Sequence, residues 1–443
     1  MAASSIQDAI SFADETKELV IRRGAISDVS AIFDKYFSGR TAVPVADENT
    51  FVAAGKKVAD VLKRGGIKLS EPFIFPAADL HAEDSQIDKL LARIEHTREI
   101  PIAIGSGTIN DMTKLASYRA GRPYICVATA ASMDGYASTG AAVVVDGIKQ
   151  TCPCPAPMAV IADLDVICKA PSELAAYGYG DLASKITAGA DWILADALGL
   201  APIKKTAWDM VQTKLRKWLA NPDGVKSGKF EAIEGLFEGL VVSGLAMQYA
   251  KDSRPASGAE HLFSHIWDMK HHKFNGKSVS HGFQVAIGTL ATTSMYETMF
   301  NCDIQKIDIA GALAKWPSSW DDFEKFLQKQ YPPKDCVLRI ALVQVCQKYL
   351  TPDRLAGRLE NLKSQWPALQ TKLANQLMPS GELAQMFSRA GCPVKASQIG
   401  VNLNLLRNTM SDAANLRSRY TVLDITRELA ISEICRKNFA TMA

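Results

Sequence analysis

The chain has 443 residues, of which 47% are hydrophobic and 22% charged, and its formal net charge at pH 7 is +3. This composition is typical of a folded globular protein and excludes a disordered chain, which combines low hydrophobicity with high net charge. The small net charge gives no extended basic surface, so we expect no nucleic-acid partner. A chain of this length is expected to form two or three domains.

Apolar runs and cysteines indicate the compartment. The longest apolar runs, such as Ala141–Val145 and Met158–Ala162, are far shorter than the ~20 residues of a membrane-spanning helix. The first residues combine neither a basic stretch nor an apolar core, so we expect no signal peptide. The nine cysteines include no CxxC pair, which favours reduced thiols. We therefore expect a cytoplasmic protein with no membrane partner.

The first 170 residues alternate strand-like and helix-like segments. Predicted strands are Leu19–Ile26, Thr41–Ala46, Glu71–Pro76, Ile100–Ile104, Tyr124–Thr129, Ala142–Asp146 and Met158–Ala162. Predicted helices are Asp28–Tyr36, Glu48–Lys63, Asp84–Glu95 and Asn110–Arg119. Apolar strands that alternate with amphipathic helices indicate a parallel sheet covered on both faces.

From Pro171 onward the apolar residues follow a helical period almost throughout. Predicted helices are Ser172–Tyr177, Leu182–Leu198, Thr206–Leu219, Phe230–Gln248, Gly258–Met269, Phe283–Phe300, Cys336–Tyr349, Leu355–Gln365, Pro367–Gln376, Gly381–Ala390 and Val422–Ile431. We expect no strand in this part of the chain. The pattern therefore predicts an α/β domain at residues 1–170, followed by an all-α domain at residues 171–443.

A glycine-containing loop, Gly105–Asp111, follows a predicted strand and opens a helix. Gly105 and Gly107 let the main chain approach a bound group, and the helix start offers N–H donors to a phosphate. Open α/β sheets bind ligands at the carboxyl ends of their strands. The loop lacks the third glycine of the dinucleotide fingerprint, and a purely structural turn is the alternative.

Two further segments follow predicted strands. Asp47 ends the second strand, where its carboxylate can accept hydrogen bonds from a ribose or, alternatively, cap the next helix. The segment Thr129–Ser138 is rich in hydroxyl groups, which suits a nucleotide or a polar substrate. Asp134 in this segment is a candidate substrate contact. The alternative is an ordinary serine- and glycine-containing loop.

Five of the seven histidines lie between residues 261 and 281, and two of them, His271 and His272, are expected in a solvated turn. His261 and His265 are four residues apart on a predicted helix, which places both on one face. His281 begins the next predicted helix. With a carboxylate such as Asp181, these histidines form a candidate divalent-metal site with an open position for substrate. Core or surface histidines and a helix-capping Asp181 are the alternatives.

Five segments, taken in order, resemble the iron-containing alcohol dehydrogenase superfamily, which includes glycerol dehydrogenase and dehydroquinate synthase. They are GSGTIND, TAASMDGYAS, YGYGDLASK, SRPASGAEHLFSH and HGFQVAIGT. The phrase Ser253–His261 and the segment Arg417–Asp424 resemble, more narrowly, the bacterial branch of sn-glycerol-1-phosphate dehydrogenase. The resemblance covers nearly the whole chain. It implies a dehydroquinate synthase-like fold, with a Rossmann-like N-terminal domain and an all-helical C-terminal domain that binds metal and substrate.

The resemblance also implies roles for individual residues. The metal ligands are Asp181, His261 and His281. The substrate contacts are Asp134, Asp181 and His265, of which Asp134 and His265 are catalytic. The cofactor-binding residues are Asp47, Gly105, Ser106, Gly107, Thr108, Ile109, Thr129, Ala130, Ala131, Ser132 and Ser138. Ala131 stands where the family pattern has proline, which leaves the exact path of this cofactor loop open.

The implied reaction is the NAD(P)H-dependent reduction of dihydroxyacetone phosphate to sn-glycerol 1-phosphate, with a metal ion that polarises the C2 carbonyl. An acidic Asp47 would repel a 2′-phosphate and so favours NAD(H) over NADP(H). Two histidines and an aspartate suit Zn, Ni or Fe equally. The resemblance further implies a homodimer that works on a small-molecule substrate.

Other assignments stay open. Lys185 and Arg254 are candidates for binding the substrate phosphate, and an ordinary solvated or capping role is the alternative for both. A dehydrogenase of glycerol or another unphosphorylated polyol would share the fold. So would a non-catalytic metal- and nucleotide-binding protein, or a lyase that resembles dehydroquinate synthase.

Overall fold

The computed structural model describes residues 6–145 and 148–442. The chain divides into two compact units. The first runs to Leu182 and adds Lys205–Ala256 and Arg389–Gly391, and the second contains Ala183–Lys204, Ser257–Ser388 and the residues from Cys392 onward. No helix among the described residues is long and apolar enough to cross a membrane.

A parallel sheet forms the centre of the first unit. The strands of this unit are β1 (Glu18–Arg22), β2 (Thr41–Asp47), β3 (Lys68–Leu69), β4 (Phe73–Phe75), β5 (Ile100–Gly105), β6 (Ile125–Ala128), β7 (Ala141–Val145), β8 (Ile148–Cys152) and β9 (Ala159–Asp163). The sheet order is β1-β9-β6-β5-β2-β3, and β4 pairs with β2. Strands β7 and β8 form a separate antiparallel hairpin.

Burial along the strands explains the sheet. Every residue of β5, β6 and β9 is buried. All of them are apolar or glycine, as expected for the covered strands of a parallel sheet, except Asp163 at the end of β9, whose carboxylate accepts a hydrogen bond from the N–H of Gly24. Phe33 and Val58, from helices that follow β1 and β2, join Ile102 and Val127 in the core. The α/β fold class predicted from the sequence is confirmed.

Helices make up most of the remaining chain. Up to Ala250 they are α1 (Ile6–Ser11), α2 (Val29–Phe37), α3 (Glu48–Thr50), α4 (Lys56–Arg64), α5 (Asp84–Ile94), α6 (Gly107–Arg119), α7 (Leu164–Ile167), α8 (Ser172–Ala183), α9 (Lys185–Ala197), α10 (Lys205–Gln212), α11 (Leu215–Trp218), α12 (Pro222–Lys226) and α13 (Phe230–Ala250). A π-helical turn at Phe51–Gly55 joins α3 to α4.

The later helices belong to the second unit, apart from Arg389 and Ala390 at the end of one of them. They are α14 (Ala259–Met269), α15 (His281–Asn301), α16 (Ile309–Leu313), α17 (Trp320–Gln330), α18 (Cys336–Cys346), α19 (Pro352–Gln376), α20 (Ser380–Ala390), α21 (Leu403–Ala413), α22 (Val422–Glu428) and α23 (Ser432–Asn438). A short antiparallel hairpin of β10 (Lys273–Phe274) and β11 (Lys277–Ser278) follows α14. The expectation that no strand follows residue 171 was therefore wrong in this detail.

Helix α8 differs from the prediction. The glycines before Asp181 predicted a break, with a new helix from Leu182, whereas one helix runs through Ser172–Ala183. Gly178 is there for close packing, because a Cβ at this position would lie 2.0 Å from the carbonyl oxygen of Ala131. Asp181 consequently lies inside a helix and is not a helix-starting cap.

Helix α19 also differs from the prediction. Pro367 was expected to start a new helix, but α19 continues through it. Proline removes one main-chain hydrogen bond and disturbs the preceding turn. The buried face of the helix, which includes Leu362, Trp366 and Leu369, continues on both sides of the exposed proline. Burial of this face outweighs the local cost.

Candidate functional site

The predicted cofactor loops meet at the carboxyl ends of β5 and β6. Gly105 and Ala128 are paired in the sheet, and the main-chain N–H of Thr129 donates to the carbonyl of Gly105 at 3.1 Å. Ser106 is the N-cap of α6, which begins at Gly107. The first N–H groups of α6 therefore lie beside the loop that follows β6, which is an arrangement suited to a phosphate.

Glycine at position 107 favours this close approach of the two loops. A Cβ there would lie 3.3 Å from Met133 in the loop after β6. In the same loop, the Ser132 hydroxyl lies 3.3 Å from that of Tyr136, and the Ser138 hydroxyl donates to the carbonyl of Gly135. The roles of these residues in cofactor binding stay predictions.

Lys114 on α6 holds the loop after β6. Its side chain is fully buried, and its Nζ donates to the carbonyl oxygens of Gly135, Ser138 and Gly140, each at 3.0 Å. The three ammonium protons thus each have a main-chain acceptor. Sequence reasoning missed Lys114. No local sequence pattern marks this lysine, because its burial and its three acceptors are known only from the fold.

Asp134 connects this loop to the predicted metal ligand on α8. Its main-chain N–H donates to Oδ2 of Asp181 at 2.9 Å. Its own carboxylate accepts a hydrogen bond from the Ser243 hydroxyl at 3.1 Å. The loop therefore orients the Asp181 carboxylate through the main chain and leaves the Asp134 side chain for another function.

Asp181, His261 and His281 come together as a candidate metal centre. Each offers one ligand atom, and these atoms all lie within 4.8 Å of one another. Asp181 and His261 are buried and His281 is half-buried. One carboxylate oxygen and two imidazole nitrogens form a donor set that fits zinc, nickel or iron, with a coordination position left for substrate. His265 lies one turn beyond His261, and the centres of their rings are 6.5 Å apart.

Glu260 supports His261. Its Oε1 lies 2.8 Å from Nδ1 of His261 and accepts from the N–H of Gly258 at 2.6 Å, while Oε2 accepts from the Thr187 hydroxyl at 2.8 Å. Burial opposes ionisation, but the hydrogen bond from His261 and the other donors keep the pKa of Glu260 below its usual value. A carboxylate at Nδ1 leaves Nε2 of His261 available as a metal ligand. Sequence reasoning missed Glu260.

Close packing of two helices sets the distance between the histidines. A Cβ on Gly288 of α15 would lie 2.3 Å from the carbonyl oxygen of Glu260 on α14. The rings of His261 and His281 are 5.3 Å apart at their centres. Ser280 caps α15 by accepting a hydrogen bond from the N–H of Phe283, which fixes His281 in the first turn.

Asp191 anchors the start of α14. It accepts hydrogen bonds from the N–H groups of Ala259 and Val422 at 2.7 and 2.8 Å, and from the Tyr296 hydroxyl at 2.6 Å. Burial, followed by the nearby Glu260 carboxylate, raises the pKa of Asp191 to about 7. This buried carboxylate ties α9, α14, α15 and α22 together around the histidines.

The remaining predicted residues have structural contacts of their own. Asp47 caps α3, since its Oδ1 accepts from the N–H of Thr50 at 2.8 Å, as the alternative interpretation required. Lys185 is fully buried, with its Nζ 3.4 Å from the hydroxyl of Ser184. Arg254 forms an ion pair with Asp252 at 3.3 Å. Their ligand-binding roles stay predictions.

Comparisons with known proteins identify the family of this chain. A family described as iron-containing alcohol dehydrogenase matches residues 20–171. A glycerol-1-phosphate dehydrogenase (NAD(P)+) from Bacillus velezensis is 30% identical over 391 residues, which is 88% of this chain and 85% of that protein. A protein of the same name from Pyrococcus horikoshii is 32% identical over 67% of this chain and 83% of its own.

Solved structures show the same fold. Glycerol dehydrogenase from Schizosaccharomyces pombe superposes with a TM-score of 0.60 at 17% identity, covering 96% of this chain and 91% of the other. The parallel sheet, the helical second unit and the Asp-His-His set define a metal-dependent oxidoreductase with the iron-containing alcohol dehydrogenase fold. Within this class, the chain belongs to the glycerol-1-phosphate dehydrogenase family.

Proposed function

We propose that this protein reduces dihydroxyacetone phosphate to sn-glycerol 1-phosphate, with NAD(P)H as the hydride donor and a divalent ion as the second cofactor. The convergence of Asp181, His261 and His281 within 4.8 Å carries the proposal, together with the names of the relatives in this family. In the balanced reaction, the ketone, NAD(P)H and one proton give the secondary alcohol and NAD(P)+.

The cofactors supply the hydride and a Lewis acid for the ketone oxygen. Asp181, His261 and His281 hold the ion. Asp134 contacts the hydroxyl groups of the substrate, and its carboxylate is kept in place by Ser243. His265, half-buried one turn after His261, supplies a proton to the substrate oxygen directly or through water.

The proposed cofactor-binding groups lie in the segments that follow the carboxyl ends of the parallel strands. The N–H groups of Gly107, Thr108 and Ile109 in the first turn of α6, with Gly105 and Ser106 before it, bind the pyrophosphate. Thr129, Ala130, Ala131, Ser132 and Ser138 lie on the nicotinamide side. The second carboxylate oxygen of Asp47 accepts from the adenosine ribose and favours NAD(H) over NADP(H).

Domain roles and assembly belong to the same proposal. Residues 1–170 form the dinucleotide-binding domain, and residues 171–443 form the domain for metal and substrate. The protein works as a homodimer in the cytoplasm.

The test is a spectrophotometric assay of NADH and NADPH oxidation. Protein stripped of metal is supplied with Zn, Ni or Fe in turn, with dihydroxyacetone phosphate and phosphate-free dihydroxyacetone as parallel substrates. We expect metal-dependent oxidation with the phosphate ester and at least tenfold lower kcat/KM without the phosphate. Equal kcat/KM for both substrates would instead identify a polyol dehydrogenase. No oxidation with any metal would refute the proposed reaction.

A further inference from the structure

His281 contacts a short chain of polar side chains that the proposed reaction does not use. Its Nδ1 lies 3.1 Å from Oγ of Ser264 on α14. Oγ of Ser264 donates to Oε1 of Gln284 at 2.7 Å, and Nε2 of Gln284 donates to the carbonyl of Val279 at 3.3 Å. Ser264 is fully buried and Gln284 is 1% exposed, so no bulk water competes for these contacts.

The direction of each hydrogen bond in this chain follows from its last acceptor. The carbonyl of Val279 only accepts, so the Gln284 amide must present its NH₂ group there and its oxygen to Ser264. The single hydroxyl proton of Ser264 is then used toward Gln284. Oγ of Ser264 can therefore only accept from His281, which requires a proton on Nδ1 of that ring. The neutral ring with Nδ1 protonated carries its lone pair on Nε2.

We propose that Gln284 is a positioning residue that acts through Ser264 to present Nε2 of His281 to the metal ion. The inference rests on the proposed metal site and adds to it the group that selects the ligand nitrogen. Metal-bound histidines generally use their second ring N–H in this way, and loss of such a partner lowers metal affinity about 10- to 100-fold.

The two histidines differ in the charge of their supports. His261 is held by the carboxylate of Glu260, whereas His281 is held by a neutral hydroxyl and a neutral amide. The two supports together therefore add one negative charge to the site, that of Glu260. An acidic residue at position 264 or 284 would add a second. This explains why a glutamine, and not a glutamate, suits position 284.

Replacement of Gln284 by leucine has a specific expected effect. The Ser264 hydroxyl loses its acceptor and turns its proton toward Nδ1 of His281, which moves the ring proton to Nε2. Metal binding then has to reverse both changes, and we expect metal affinity to fall about 10- to 100-fold. Removal of the hydroxyl in the double variant Ser264→Ala/Gln284→Leu eliminates the misdirected donor, so its affinity should exceed that of Gln284→Leu alone.

The ring proton can be observed directly. Protein with ¹⁵N-labelled histidine is stripped of metal, and two-bond ¹H–¹⁵N spectra are recorded at a pH where the ring is neutral. The His281 signals are those missing from His281→Ala. We expect protonated Nδ1 in the wild type and protonated Nε2 in Gln284→Leu. Thr292→Val is the matched control, because it also removes a buried polar group from α15 and should change neither signal.

Metal affinity is measured in parallel by competition with a chromophoric chelator. Weaker metal binding by Gln284→Leu, with partial recovery in the double variant, supports the proposed action of Gln284 through Ser264. If both residues had only structural roles, the losses of metal affinity caused by the two substitutions would add. A wild-type ring with protonated Nε2, or unchanged affinity in Gln284→Leu, overturns it. A wild type that binds no divalent ion overturns the proposed metal site instead, and the tautomer spectra still decide whether the relay exists.

Discussion

The main-chain N–H of Asp134 donates a hydrogen bond to Oδ2 of Asp181 at 2.9 Å. This bond joins the loop after β6 to a proposed metal ligand on α8. Lys114 holds the same loop through three carbonyl groups. The position of the Asp181 carboxylate therefore depends on a lysine that touches neither the carboxylate nor the proposed ion.

Replacement of Lys114 by methionine tests this dependence. The variant leaves the carbonyls of Gly135, Ser138 and Gly140 without their buried donor, at a cost of about 1–3 kcal/mol in the free energy of unfolding. We expect the displaced loop to raise KM for cofactor and substrate and to lower kcat. Urea denaturation and steady-state kinetics measure the two effects. Lys89→Met, at an exposed position, is the control, and wild-type kinetics in Lys114→Met would show that the loop keeps its position without the lysine.

Asp134→Ala separates the two functions of Asp134. The contact with Asp181 uses the main chain, so alanine should retain metal affinity within about twofold of the wild type. The lost carboxylate should lower kcat/KM by at least tenfold, on the scale of one strong hydrogen bond to substrate. Metal content by elemental analysis and kinetics on the same preparation give the comparison. Loss of the metal from this variant would contradict the assignment of the carboxylate to substrate.

The strands of the sheet and the ligand-binding loops that follow them could be predicted because local sequence encodes them. The apolar run of β5 and the glycine loop after it, for example, can be recognised from a stretch of about ten residues. The break predicted at Gly178 failed for the opposite reason. Its glycine serves a contact with Ala131, 47 residues away in the chain, and no local pattern distinguishes a packing glycine from a helix terminator.

The candidate site divides in the same way. The closeness of His261, His265 and His281 in the chain makes them candidate ligands, and the family resemblance selects His261 and His281. Glu260 and Gln284, in contrast, are ordinary helix residues until the fold is known. Their importance comes from contacts across α14 and α15, which depend on how closely the two helices pack. The predicted metal ligands came together, but the polar groups that orient them could not be derived from spacing.

Gly288→Ala tests the packing of α14 against α15. The added methyl group would lie 2.3 Å from the carbonyl oxygen of Glu260, and main-chain atoms on both sides leave no flexible group to move. We expect the helices to separate, with a loss of about 1–3 kcal/mol in the free energy of unfolding and weaker metal binding.

Gly357→Ala is the matched control for that variant. Gly357 lies exposed inside α19, and apart from the adjoining main chain no atom lies within 4 Å of the point that a Cβ would occupy, so alanine should stabilise the protein by about 0.5–1 kcal/mol. Thermal denaturation and chelator competition compare the pair. If Gly288→Ala were as stable as Gly357→Ala and bound metal as tightly as the wild type, close packing would not set the histidine spacing.

His281→Ala removes a proposed metal ligand and leaves the cap of α15 in place. The residue is half-buried in the first turn of α15, and Ser280, which caps the helix, is unchanged. We therefore expect the circular dichroism spectrum and thermal unfolding of the wild type, with turnover reduced below detection and metal affinity lowered by several orders of magnitude. His272→Ala is the control, because its Nε2 contacts the carbonyl of Ile399 at 2.7 Å outside the metal set. Full activity of His281→Ala in metal-free buffer would exclude the three-ligand centre, since we expect the two remaining ligands to lose a divalent ion during purification.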